Sequence, residues 1–198
     1  MSALDWNTKI NLTGATVLAV DRSAQTLTML DEILRGFGVG ARHLCATAKE
    51  ARARFEGGAI DLIVVDVANG DEGAQFLSWA RRSGIAPNNV APVIATMGHV
   101  CKSDLMRARD TGANFVLTKP LKADVLLQRI QWIARENRAF VETPTYVGPD
   151  RRFRNMGPPA GTQGRRADDL SLAVGDAMEP NMDQNEIDTL FKPQRVQL

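Results

Sequence analysis

Asp61-Leu-Ile-Val-Val-Asp66 is the stretch on which the fold turns. Leu62 to Val65 is an apolar run without polar alternation, dominated by β-branched residues. Such a run suits a strand buried on both faces of a parallel sheet. It ends in a carboxylate. Four further short runs flank it: Val17 to Val20, His43 to Ala46, Pro92 to Ala95 and Phe115 to Leu117. Helical spacing fills the gaps. Leu27, Leu30, Ile33, Leu34 and Phe37 recur at three and four residues, and Gly38 follows as a stop signal. Phe76, Leu77 and Ala80 mark a second pattern. Leu105, Met106 and Arg109 mark a weaker one that ends at Gly112, and Val125, Leu126, Arg129, Ile130 and Ile133 mark a long last helix. Alternating strand and helix, five of each, predicts an α/β doubly wound three-layer sandwich with right-handed crossovers.

The chain has 198 residues, with 24 Lys+Arg against 23 Asp+Glu and a formal net charge of +1. That balance excludes a globally basic nucleic-acid binder and an acidic tail protein. No run approaches the ~20 apolar residues of a membrane span. Met1 to Thr13 holds Asp5, Trp6, Asn7 and Thr8, and so lacks the apolar core of a signal peptide. Cys45 and Cys101 form neither a disulfide framework nor a metal spacing. A cytoplasmic protein with reduced thiols is expected.

Acidic residues close two strands: Asp21 follows Thr16-Val-Leu-Ala-Val20, and Asp66 closes the quoted stretch. In open α/β sheets the ligand crevice lies beyond the carboxyl ends of the strands, at the topological switch point. Lys119 stands at a third strand end, in Phe115-Val-Leu-Thr-Lys119-Pro120, where the proline cannot extend the ladder. An ammonium near Asp66 would stabilise an anion formed there. No Ser-His-Asp constellation and no phosphate-cradling glycine motif accompanies these residues, so an independent enzyme is not expected. His43 and His99 lack metal partners at useful spacing, and Trp6, Trp79 and Trp132 read as packing aromatics.

Taken together, Val17-Leu-Ala-Val-Asp21-Arg-Ser23, Asp61-Leu-Ile-Val-Val-Asp66, Ala91-Pro-Val-Ile-Ala-Thr96 and Gly112-Ala-Asn-Phe-Val-Leu-Thr-Lys119-Pro120 resemble the receiver domain of bacterial response regulators, chemotaxis type, over residues 14–140. The resemblance implies a flavodoxin-like five-stranded parallel sheet in the order 2-1-3-4-5. It implies Asp66 as phosphoryl acceptor, Asp21 with Asp66 as carboxylates of a Mg²⁺ site, and Lys119 as the cation that senses phosphate. A sensor histidine kinase or phosphotransfer protein would be the donor. The chain departs from the pattern at Arg22, where the family carries a second acid. A guanidinium cannot bind magnesium and could itself pair with Asp66. The hydroxyl position after strand 4 has two candidates: Thr96 counting forward from Asp66, and Met97 counting back from Lys119. The aromatic switch position falls on Val116, with Phe115 one residue earlier.

Composition shifts near residue 141 toward Pro, Gly, Arg and Asp, which predicts a disordered linker over 141–181. Arg151, Arg152, Arg154, Arg165 and Arg166 precede an acidic block that runs from Asp168 to Asp188. Arginine forks suit phosphates and stack on purines. An alternative function is therefore a pseudo-receiver effector whose arginines bind a nucleotide second messenger, with cyclic di-GMP the resemblance to other Arg-rich tails. Nucleic acid is not the expected partner, since only Phe153 interleaves and the acidic block would repel phosphate backbones.

Residues 182–192 read as a short amphipathic helix capped by Asp183 and stopped by Pro193. Ile187, Leu190 and Phe191 share one face, with Glu186 and Asp188 beside them. Gln184-Asn-Glu-Ile-Asp-Thr-Leu190 resembles the receiver-binding peptide at the N-terminus of the flagellar motor switch protein. A helix this short is marginal alone and needs a surface. It either folds onto its own domain beside helix 4 and strand 5, or binds a chemotaxis or flagellar receiver in trans.

Overall fold

Five parallel strands form one sheet in the order β2-β1-β3-β4-β5: β1 (Thr16–Val20), β2 (Ala41–Cys45), β3 (Leu62–Asp66), β4 (Val93–Met97) and β5 (Phe115–Thr118). The expected flavodoxin-like order is the one observed. The computed structural model describes residues 10–68, 72–99, 101–135, 138–151, 183–185 and 187. Helices α1 (Ala24–Gly36), α2 (Ala48–Gly57), α3 (Glu72–Arg82), α4 (Lys102–Asp110) and α5 (Ala123–Arg135) connect and follow the strands.

Side-chain alternation along the central strands splits the core in two. Val17, Ala19, Leu62, Val64, Ile94 and Leu117 pack with Leu27, Leu30 and Leu34 of α1 and with Leu126 and Ile130 of α5. Leu18, Val20, Ile63, Val65, Val93 and Ala95 face the other way, onto Phe55 of α2, Phe76 and Leu77 of α3 and Leu105 of α4. Both faces of β1, β3 and β4 are therefore covered, which explains their unbroken apolar runs. β2 is an edge strand, and its sequence Ala41-Arg-His-Leu-Cys45 is correspondingly mixed. Trp79 packs edge-on against Phe55, and Trp132 lies 5.8 Å from Phe115, centroid to centroid.

Helix starts are set by side chains. Ser23 accepts at Oγ from the Thr26 amide at 3.2 Å, and Thr47 accepts at Oγ1 from the Glu50 amide at 3.2 Å. Glu50 reaches back to the Ala46 amide at 3.0 Å, closing a reciprocal cap. That cap supports α2, whose buried residues are only Ala51 and Phe55.

Order continues past residue 140, where composition predicts a disordered linker from 141. β6 (Phe140–Glu142) and β7 (Val147–Pro149) pair antiparallel as a hairpin. What holds it is a polar anchor rather than an apolar run. Arg81 is 3% exposed and carries its guanidinium into a cage of oxygens. It donates to Gly112 O at 2.8 and 3.0 Å, Asn89 O at 2.9 Å, Ala91 O at 2.7 Å and Asn114 Oδ1 at 3.3 Å. Burial pulls its pKa down to about 10, so it stays charged at neutral pH. Phe140 lies over this cation at 5.3 Å, and Tyr146 is buried with its hydroxyl donating to Pro149 O at 2.7 Å. The closest approach of hairpin to domain is glycine on glycine. A Cβ on Gly148 would sit 2.8 Å from Gly112 Cα and 2.5 Å from the Tyr146 hydroxyl.

Gly148→Ala should therefore lift the hairpin and cost about 1–3 kcal/mol in urea unfolding. Gly57→Ala, with nothing within 4 Å of the added carbon, should be neutral or stabilising. Equal effects of the two substitutions would contradict the close approach.

Candidate functional site

Three side chains from three strand ends meet at the C-terminal rim of the sheet. Asp21 directly follows β1, Asp66 ends β3 and Lys119 directly follows β5. The Lys119 ammonium donates to Asp21 Oδ2 at 2.7 Å and to Asp66 Oδ2 at 2.8 Å. The lysine crosses the end of β4 to do so, since β4 lies between β5 and β3. The Lys119-Pro120 bond is cis. Asp21 is 3% exposed, and its other oxygen accepts from the Ser23 amide at 2.8 Å. The residue that caps α1 thus also aims the carboxylate.

Alternation explains the convergence. Asp21 shares parity with Val17 and Ala19, Asp66 with Leu62 and Val64, and Lys119 with Leu117, all in the core layer of α1 and α5. The crevice sits beside the β1/β3 boundary, where the strand order reverses. Burial pulls the Lys119 pKa down, but hydrogen bonds to Asp21 and Asp66 and their charges more than reverse it. The result lies above the ordinary lysine value of 10.5.

The two candidates for the hydroxyl position separate cleanly. Thr96 is the register partner of Asp66 in the β3·β4 ladder, and the Val67 amide donates to Thr96 O at 3.0 Å. Thr96 shares parity with Ile94, hence the layer of Asp66, and is 1% exposed. Met97 packs in the opposite core layer with Leu105 and Phe115. Val116 is buried there as well.

A shallow cleft beside Asp66 is lined by Val20, Asp21, Arg22, Ala46, Ala48, Glu72 and Gly73. Glu72 and Gly73 carried no signal of their own in the sequence. Gly73 is required by contact: a Cβ there would stand 1.8 Å from Asp66 O. Only glycine lets the first turn of α3 lie against the end of β3. Glu72 Oε2 accepts from the Ala48 amide at 3.3 Å, tying α3 to the start of α2.

Arg151, one of the arginines that the sequence offers as anion ligands, is not part of this site. Arg151 pairs with Asp110 at the end of α4 and lies 4.0 Å over the Tyr146 ring. α4 runs back from the C-terminal rim, so Arg151 belongs to the opposite end of the sheet. Arg152, Arg154, Arg165 and Arg166 lie outside the described residues, as do Glu186, Asp188, Leu190 and Phe191. Ile187 is described, helical and 0% exposed.

The receiver domain is the family in which strand-end acids and a lysine meet at this rim. The family model described as "Response regulator receiver domain" matches residues 17–131, and the chain belongs to that family. Its membership places it in two-component signalling. Among solved structures it is similar to a CheY-like response regulator receiver domain protein from Methanospirillum hungatei JF-1. Identity there is 23%, covering 61% of this chain and 94% of that one, with a TM-score of 0.54. Chemotaxis protein CheY4 of Vibrio cholerae is 24% identical over 59% of this chain and 96% of its own, TM-score 0.54. A response regulator from Thermotoga maritima is 26% identical over 62% and 98%, TM-score 0.55. No curated protein matches the chain.

Receiver domains generally bind Mg²⁺ at the acidic pocket. The residues present fit that ion poorly. Asp21 and Asp66 each commit an oxygen to Lys119, and Arg22 lines the same cleft. Among the described residues no group of three His, Cys, Asp or Glu side chains could hold a metal.

Lys119→Met should leave two adjacent carboxylates without their shared cation and cost about 3 kcal/mol at neutral pH. The lysine pKa is raised by folding, so its contribution is complete below 10.5 and declines as pH rises through the folded value. Chemical unfolding of wild type and variant across that range should show the gap closing only on the alkaline side. A gap that is constant through the alkaline range would overturn the clamp.

Proposed function

We propose that the chain is a response regulator that accepts a phosphoryl group on Asp66 and signals by protein contact, in chemotaxis or flagellar control. The observation that carries this reading is the Lys119 ammonium held at 2.7 and 2.8 Å between Asp21 and Asp66. A carboxylate oxygen of Asp66 bonds to phosphorus while the donor's bridging bond breaks, and the leaving group departs with the electron pair. The product is an acyl phosphate carrying about two negative charges. Lys119 is already in place to pair with that charge without leaving the rim. Thr96, level with Asp66, is the hydroxyl offered to a phosphoryl oxygen.

The donor is a sensor histidine kinase or a phosphotransfer protein, the partners that receiver domains use. The protein acts as acceptor and contact partner rather than as an independent enzyme, and a cytoplasmic setting suits those donors. No helix among the described residues is long and apolar enough to cross a membrane. Arg22 in the cleft supplies a fixed positive charge where a metal-binding acid would otherwise stand. Phosphorylation is therefore only weakly dependent on Mg²⁺.

Acetyl phosphate should add one phosphoryl group, about 80 Da, to the wild-type chain by intact mass. Asp66→Asn should remain unlabelled. Replacing Mg²⁺ by a chelator should slow labelling by no more than about threefold, whereas Arg22→Asp should restore a strong metal requirement. Equal labelling of Asp66→Asn, or none in wild type, would reject the assignment.

A further inference from the structure

The open edge of β5 is occupied by the chain's own C-terminal segment. β5 is the last strand of the sheet, and β4 satisfies only one side of it. On that side the Lys119 amide donates to Met97 O at 2.7 Å. On the outer side the Thr118 amide and the Val116 carbonyl point away from β4. Gln184 meets both: its Oε1 accepts from Thr118 N at 2.9 Å, and its Nε2 donates to Val116 O at 3.2 Å. Oε1 also accepts from Thr118 Oγ1 at 3.1 Å. A glutamine amide carries one acceptor and a donor in a plane, as a peptide group does. It therefore makes the pair of bonds that one residue of a sixth strand would make.

Ile187 is one turn on along the chain, and its amide donates to Asp183 O at 3.1 Å. It is 0% exposed and joins the core layer that contains Leu105 and Phe115. Polar and apolar contacts are thus made on the same flank of β5, one residue before Lys119. Residues 152–182 separate this segment from the hairpin, and such a length can reach up to about 100 Å. Chain connectivity therefore does not fix the segment there. Among the described residues the seat includes the Gln184 amide and the Ile187 side chain, and an isolated segment of residues 182–192 is too short to hold a helix without such a surface.

We propose that Gln184 and Ile187 form a displaceable latch, occupying in cis a docking surface on the β5 edge for a helical segment with glutamine and, three residues later, an aliphatic side chain. While seated, the latch denies that edge to any other segment of the same chemistry. This inference goes beyond phosphoryl acceptance at Asp66, and its test uses unphosphorylated protein, so either reading can fail alone.

The probe is a fluorescein-labelled peptide of residues 181–192, titrated against full-length wild type and a full-length Gln184→Ala/Ile187→Asp variant. Polarisation should show the variant binding at least about tenfold more tightly, because its site is vacated and tethered competition is removed. Equal affinities, or no binding to the variant, would overturn the proposal. Hydrogen exchange at the Thr118 amide gives a second readout. Gln184→Ala alone, which deletes no buried apolar group, should raise its rate at least about tenfold. An unchanged rate would sink the latch. Protection in wild type should not vary over about a hundredfold dilution, and protection lost on dilution would assign the occupant to a second copy instead.

Discussion

An ammonium between two carboxylates, each delivered by a different strand, is the constraint that organises this molecule. Lys119 reaches Asp66 and Asp21 only if β5, β4, β3 and β1 lie in that order, in parallel and in register. Without it the two like charges would repel each other across the crevice. The cation thereby couples sheet topology to chemistry. It also sets what the site is before any donor arrives: two negative charges shared by one positive charge, with Arg22 lining the same cleft. Under the proposed function, a phosphoryl group on Asp66 would alter that balance beside Lys119, the residue that follows β5.

The same strand end carries the second organising feature. Thr118 touches Gln184 on one side, and Lys119, the next residue, holds the acidic pair. Burying Ile187 is worth about 1.5–3 kcal/mol, and each net hydrogen bond about 1 kcal/mol. Ordering backbone costs about 1–2 kcal/mol per residue, which offsets contacts of this kind. A cover whose contacts are offset in this way suits a surface that has to be opened.

Much of this was legible in the residues themselves. Unbroken β-branched runs ending in Asp21, Asp66 and Lys119 implied buried parallel strands with charged ends, and strand parity then sends all three to one layer. The Thr96/Met97 ambiguity was not resolvable by counting, because the loops on either side of β4 change the count by one residue. Only the ladder, pairing Thr96 with Asp66, separates them. α2 was faint because its stripe is just Ala51 and Phe55. The hairpin looks like linker in composition for a physical reason. Its stability comes from Arg81, from glycine-to-glycine contact and from stacking on Tyr146, none of which produces apolar periodicity. Composition offers Arg151 as a phosphate fork, yet it sits beside that hairpin and pairs with Asp110.

Gln184 shows most clearly what pattern reading misses. In the motif it is a polar residue at the start of a helix, and hydrophobic spacing directs attention to Ile187, Leu190 and Phe191. Its importance depends on something outside its own segment: an unpaired amide and carbonyl on the outer side of β5, 66 and 68 residues away. An open edge is a standing invitation to other strands, and proteins blunt it with charge, proline or a cover. Among the described residues, the Gln184 side-chain amide does the blunting. Because it copies the peptide hydrogen bonds without contributing a strand, it covers the edge yet adds no new edge in turn. A sixth strand would only have moved the problem outward. The amide ends the sheet at β5 and leaves the strand that leads into Lys119 as the boundary between the acidic crevice and the outside of the molecule.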